Sequence, residues 1–229
     1  MRLALVFFLT ASSLSRAAAD TLFHDDFEEG HLDKWDVVTG YWDVVDVGGN
    51  HVARLSEAVY FGVMNIRGFA DLHFTMEASI WQRTRDHGAN LYFYNNSIEQ
   101  NVGFDSGLWF GFSGYQNAIG WGDMVEGEQT LLQFVNSDVE LDYWVRLKLV
   151  VSAKGVQMWS RREGVDDDFV LLFGLEGTVS TEGNTRLGLL VGGLEAWVDD
   201  VIVYDHTGPT AVAGSTWGEV KARRPSGTE

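Results

Sequence analysis

Apolar and polar residues alternate along much of this chain. In the stretch 71–81, Leu72, Phe74, Met76, Ala78 and Ile80 share one parity, and Asp71, His73, Thr75, Glu77 and Ser79 share the other. A two-residue period sends these sets to opposite faces of a strand, which predicts a half-buried antiparallel strand. The stretch 142–152 alternates again, with Trp144, Arg146, Lys148 and Val150 on one parity. The stretch 186–205 predicts two closing strands. Leu187 to Val191 is an apolar run, and Gly192-Gly193 can bend or bulge at no Cβ cost. After them Ala196, Val198, Asp200, Ile202 and Tyr204 alternate with Trp197, Asp199, Val201 and Val203, so each face of that strand receives one aspartate.

Elsewhere the chain is a series of short apolar segments separated by turn residues. Thr21 to Phe27 reads as the first strand, Trp35 and Trp42 flank a Gly-Tyr turn, and Gly48-Gly49-Asn50 predicts a hairpin. Gln82 to His87 reads as a charged loop and Asp123 to Glu128 as an acidic surface loop. The tally is roughly twelve strands with little helix and no internal repeat. Such strands must bury one face against another sheet, so the expected fold is an all-β, two-sheet antiparallel β-sandwich.

Composition adds the compartment. Met1-Arg2, an apolar run from Leu3 to Thr10 and Ala17-Ala18-Ala19 form a signal-peptide pattern over 1–19. The sandwich is expected over 20–206, followed by a linker and short tail over 207–229, where Thr216 and Glu219 have capping-box spacing. No other stretch is apolar and long enough to span a membrane. The chain lacks cysteine, so stability must come from the core. Sixteen basic residues against 33 acidic ones give a net charge of -17, which argues against nucleic acid or an anionic membrane as partner.

The Asp-Asp-Phe ending at Phe27, Trp35, Trp42, Trp144-Val-Arg-Leu and the closing Val-Asp-Asp-Val-Ile-Val together resemble the concanavalin A-like lectin/glucanase superfamily, in its laminin-G-like jelly-roll form found in secreted bacterial proteins. The resemblance covers roughly residues 20–205 and implies a jelly roll. Its members include lectins, carbohydrate-binding modules, hydrolases, lyases and adhesion modules, so it leaves function broad.

No protease, esterase or nucleotide-binding motif is present. The Glu-x-Asp-x-x-Glu strand of the family's glucanases has no match; Glu126 and Glu128 come nearest, in a stretch that reads as loop. His73, Tyr92, Arg83 and Arg146 are residue types a lyase uses, without forming a motif. Glycan binding is the leading expectation, because nine tryptophans and 14 phenylalanines are a heavy aromatic load and aromatic rings stack on sugars. Trp81, Tyr92, Tyr94, Trp109, Tyr115 and Trp121 are the candidate glycan contacts; in a sandwich such rings also serve as core. A structural or protein-binding module of an extracellular assembly is the alternative, and a polysaccharide hydrolase or lyase a further one. Asp25 and Asp26 in the first strand and Asp199 and Asp200 in the last are candidate Ca²⁺ ligands, since oxygen donors suit a hard cation. Capping of backbone amides is the other reading of those pairs. The expected location is secreted or periplasmic.

Overall fold

A computed structural model describes residues 20–57, 62–69, 73–83, 89–95, 106–113, 118–125, 128–136, 142–152, 154–176, 185–192 and 196–205. The stretches expected to be a signal peptide and a tail lie outside these residues. Fifteen strands are described: β1 (Thr21–Asp25), β2 (Trp35–Thr39), β3 (Tyr41–Asp46), β4 (His51–Glu57), β5 (Gly62–Ile66), β6 (Phe74–Gln82), β7 (Ala89–Asn95), β8 (Ser106–Ser113), β9 (Ala118–Val125), β10 (Glu128–Asn136), β11 (Trp144–Ser152), β12 (Gly155–Arg162), β13 (Val170–Glu176), β14 (Thr185–Val191) and β15 (Ala196–Asp205). No helix among the described residues is long and apolar enough to cross a membrane.

The strands form two antiparallel sheets. One has eight strands in the order β13-β12-β11-β6-β15-β4-β3, with β1 added on β15; the other has seven, β10-β9-β8-β7-β14-β5-β2. Phe74, Met76, Ala78 and Ile80 of β6, Leu147 and Leu149 of β11, and Val198, Val201 and Val203 of β15 belong to one buried cluster with Met64, Leu91, Phe110, Leu187 and Leu189 of the other sheet. Each of these side chains larger than alanine contributes about 1.5–3 kcal/mol by leaving water. The chain crosses between sheets at Gly40, which joins β2 of the seven-stranded sheet to β3 of the eight-stranded one at φ 79°, a conformation glycine adopts freely.

The first and last described strands pair with each other. β4 pairs with Ala196–Val198 of β15, and β1 pairs antiparallel with β15 from Val201 to Tyr204 on the following stretch. Two strands thus share one edge of β15 and leave little of it open.

The structure corrects three local readings. The polar parity of β6 is not solvated: Thr75, Glu77, Ser79 and Trp81 are buried along with the apolar set. β6 is a central strand between β11 and β15, and Glu163 in the β12–β13 connection bonds to Ser79 across its outward side. The alternation of β15 is broken by a bulge between Asp199 and Ile202, with Asp200 at φ 51°. The extra residue shifts the parity, so Ala196, Val198, Val201 and Val203 face the core. Asp123 lies in β9, paired with Thr130 of β10, and Glu128 opens β10, so these parts of the stretch read as an acidic loop are strand.

Candidate functional site

Two surfaces carry polar chemistry, one on each sheet, both facing away from the shared core. On the seven-stranded sheet, Leu91 and Phe110 point into the core, and their neighbours Asn90, Tyr92 and Trp109 take the opposite face by alternation. Tyr92 is paired with Trp109 across β7 and β8 and with Gly188 across β7 and β14. The Tyr92 hydroxyl donates to the Met64 carbonyl oxygen at 3.4 Å. It can do so because residue 188 is glycine: a Cβ there would collide with that carbonyl oxygen and lie 2.8 Å from the hydroxyl. Asn90 donates from Nδ2 to the Leu190 carbonyl at 3.5 Å.

Asn90 Oδ1 and Trp109 Nε1 are buried and have no hydrogen-bond partner among the described residues. The residues are only 6% and 4% exposed, and Tyr92 between them is 1% exposed. A buried polar atom without a partner costs about 1–3 kcal/mol. An acceptor and a donor on neighbouring strands form the complement of a hydroxyl group, which donates one hydrogen bond and accepts others.

The six predicted glycan contacts are therefore divided. Tyr92 and Trp109 are brought side by side. Tyr94 pairs with Arg186 of β14, and Trp121 pairs with Phe110 of β8, both within the same sheet. Tyr115 lies outside the described residues. Trp81 sits on the other sheet, where its ring stacks on Trp197 at 4.1 Å between centroids; Trp144 follows 6.5 Å from Trp197. Three tryptophans in register across β11, β6 and β15 thus pack against one another on the outward face of the eight-stranded sheet.

The same face holds an ion network that alternation alone did not reveal. Arg146 donates from Nε to Glu77 Oε2 at 2.9 Å, and from Nη1 to Ser79 Oγ at 2.9 Å and Asp200 Oδ2 at 2.8 Å. Burial opposes the charge on Arg146, but the Glu77 and Asp200 carboxylates outweigh it and hold the guanidinium above the usual arginine range. Burial pushes the nearby Tyr204 phenol up, and the Glu77 charge adds to this. A charged residue of each sign at an inner strand position, Glu77 and Arg146, was the available sequence signal; only the register Arg146–Ser79 and Lys148–Glu77 shows that they meet.

The four aspartates do not converge. Asp25 pairs with Val201, on the core side, where its carboxylate accepts from Trp35 Nε1 at 2.7 Å, Lys34 Nζ at 3.3 Å and the Phe27 amide at 3.2 Å. Asp26 accepts from the Glu28 amide at 3.3 Å. Asp199 pairs with Ser79 in register and accepts from Asn50 Nδ2 at 2.9 Å. Asp200 reaches Arg146, with His24 Nε2 at 3.5 Å from its other oxygen. The bulge turns both late aspartates away from the side that holds Asp25, and a cation would have to displace these donors. Among the described residues no group of three or more histidines or carboxylates is placed to hold a metal ion. The lyase-type residues are separated too: Arg146 is engaged in its network, and Tyr92 is on the other sheet. Glu126 lies outside the described residues, and Glu128 opens β10.

No protein-family model matches the chain. No curated protein matches it in sequence. Solved structures do match. The carbohydrate binding module CBM66 from Bacillus subtilis superposes with a TM-score of 0.52 at 14% identity, over 75% of this chain and 92% of its own. The VIP36 exoplasmic/lumenal domain, in a Ca²⁺/Man2-bound form, gives 0.57 at 14% identity, over 85% and 88%. Lectin II from Ulex europaeus gives 0.59 at 11% identity, over 80% and 96%. With the two-sheet topology and the paired chain ends, these matches establish that the chain has the concanavalin A-like jelly-roll fold of lectins and carbohydrate-binding modules.

Proposed function

We propose that the chain is an exported, non-catalytic glycan-binding module whose site lies on the outward face of the seven-stranded sheet, around Asn90, Tyr92 and Trp109. The observation that carries this reading is the pair of buried, unpaired atoms, Asn90 Oδ1 and Trp109 Nε1. Sugar hydroxyls can supply both the donor and the acceptor these atoms lack, and Tyr92 lies in register with Trp109 beside them. The carbohydrate-binding relatives of this fold support the reading.

A glycan array probed with the mature chain and with Asn90→Ala, Trp109→Phe and Trp121→Ala variants tests it. Trp109→Phe keeps a ring and removes the N–H. Binding to at least one neutral polysaccharide is expected, weakened about tenfold by Asn90→Ala or Trp109→Phe. No binding to any glycan overturns the proposal. Reducing-end and unsaturated-product assays on the bound glycan are expected to stay blank; turnover would replace a binding module by a hydrolase or lyase.

Calcium joins the proposal through the Ca²⁺-bound VIP36 domain. Thermal melting of metal-stripped protein with and without Ca²⁺, compared with Asp26→Asn and Asp200→Asn, measures it. A rise in midpoint on adding Ca²⁺ attaches a cation to the module; an unchanged midpoint with no metal in elemental analysis removes it. Export is checked by N-terminal sequencing of the mature protein, which is expected to begin near Asp20.

A second reading, a protein-binding module of an extracellular assembly, has its own observation. β13 is the edge strand of the eight-stranded sheet, and Val170 and Leu171 on it are 59% and 45% exposed. An open apolar edge is where another chain can add. Sedimentation of the parent and of a Val170→Lys variant separates the readings, since self-association lost on substitution favours the assembly.

A further inference from the structure

On the outward face of the eight-stranded sheet, β11 and β12 set cations side by side. Arg146 is paired with Arg161, and Lys148 with Trp159. Like charges directly opposite repel, so each needs compensation. Arg146 finds it in Glu77 and Asp200. Lys148 has Glu77 at 3.8 Å. Arg161 has no carboxylate partner among the described residues, and its buried Nε donates to nothing there. Its neighbour on the same face, Trp159, is left in the same state at Nε1. Asp166 in the adjoining turn feels the Arg161 charge but forms its ion pair with Arg162, at 2.8 Å.

One aromatic ring gathers these groups. The Arg161 guanidinium carbon lies 5.0 Å from the centroid of Phe169, and Lys148 Nζ lies 5.3 Å from the same centroid. Phe169 belongs to the connection that leads from β12 into β13. On the far side of Trp159, its pairing partner Leu171 is open to solvent, so the cluster borders the surface.

We propose that Lys148, Trp159, Arg161 and Phe169 form a second ligand site, for an oxyanion carried on a sugar ring: a uronate carboxylate or a sulfate ester. The chemistry is complementary. Two unpaired N–H donors, one of them cationic, call for a charged acceptor. A guanidinium fits carboxylate and sulfate oxygens better than an ammonium does, and the lysine adds a point charge. The aromatic rings offer an apolar surface to the ring that carries the anion. The protein as a whole is strongly acidic, with a net charge of -17, so long polyanions are repelled. The site therefore favours short acidic oligosaccharides, and its affinity for them does not depend on the seven-stranded sheet.

Isothermal titration of the full mature chain with a galacturonic acid trimer, a sulfated galactose disaccharide and neutral cellotriose tests this. The variants are Arg161→Gln and Trp159→Phe, the latter removing only the indole N–H while keeping a ring. The parent is expected to bind at least one of the two acidic oligosaccharides, and which one identifies the source of the anion. Arg161→Gln is expected to weaken that binding about tenfold or more, and Trp159→Phe severalfold, with the melting midpoint and any neutral-glycan binding unchanged. Failure of both acidic ligands to bind the parent overturns the proposal. So does binding to both variants with the parent's affinity, or a loss that follows Trp109→Phe on the other sheet instead. Should Arg161→Gln not fold, Trp159→Phe decides alone.

Discussion

Position 188 shows how a single residue constrains the outward face of the seven-stranded sheet. The Tyr92 ring reaches across β14 to the Met64 carbonyl only because no Cβ stands in the way. Gly188→Ala is expected to cost about 1–3 kcal/mol in urea denaturation, the usual range for overpacking. Tyr92→Ala should not rescue it, because the new methyl group also meets the Met64 carbonyl oxygen. An unchanged denaturation midpoint for Gly188→Ala would contradict this geometry. Tyr204 offers a test by pH. Burial, then the charge of Glu77, raises its folded-state pKa above the unfolded value of about 10. The folded state thus favours the neutral phenol. Its contribution to stability is complete below the unfolded pKa and is lost as pH rises through the folded one. Between those two pKa values, alkaline unfolding curves of the parent should fall more steeply than those of Tyr204→Phe, and identical slopes would refute the assignment.

At the level of elements, β15 organises the eight-stranded sheet. It pairs with β6 along its length and with β4 and β1 in succession on its other edge, and the bulge at Asp199-Asp200 falls where those partners change. The bulge also aims Asp200 at Arg146. Removing Arg146 alone leaves Glu77, 6% exposed, without its main partner, so Arg146→Met is expected to destabilise the protein by about 3–5 kcal/mol. Arg146→Met combined with Glu77→Leu should cost less than the sum of the two single changes, because the second removes a charge the first left stranded. Urea midpoints of the four proteins measure that coupling, and strict additivity would show that the network is not a unit. Asp200→Asn loses the charge yet keeps a residue that tolerates the left-handed backbone. Asp200→Ala loses both and should cost about 1–2 kcal/mol more, the penalty of φ 51° for an ordinary residue.

At the scale of the whole molecule, both sheets contribute to one buried cluster, and no disulfide supports it. Denaturation of the protein is expected to show one cooperative transition, followed identically by far-ultraviolet circular dichroism and tryptophan fluorescence and unaffected by reducing agent. Two separated transitions would mean that the sheets are stable apart. Much of this architecture follows from local sequence. Alternation in β6 and β11 specifies which residues enter the core, because the two-residue period of a strand is a property of the backbone. The Gly48-Gly49-Asn50 turn is equally local, with both glycines at positive φ. The antiparallel sandwich and the meeting of the chain ends follow from many such strands needing a common core and protected edges. What tertiary structure decided is everything that depends on register and layering. The bulge in β15 is invisible in an alternating sequence, since an inserted residue changes the parity without changing the composition. The burial of the polar face of β6 depends on the connection folded over it, many residues away. The aspartate pairs look alike along the chain, but pairing sends Asp25 to the core side and Asp200 to the opposite face. Aromatic residues also look alike along the chain. Only the assembly of two sheets places Tyr92 and Trp109 together and sets Trp81 in a different layer, because a side chain's neighbours across a sheet are fixed by strand order and not by sequence distance.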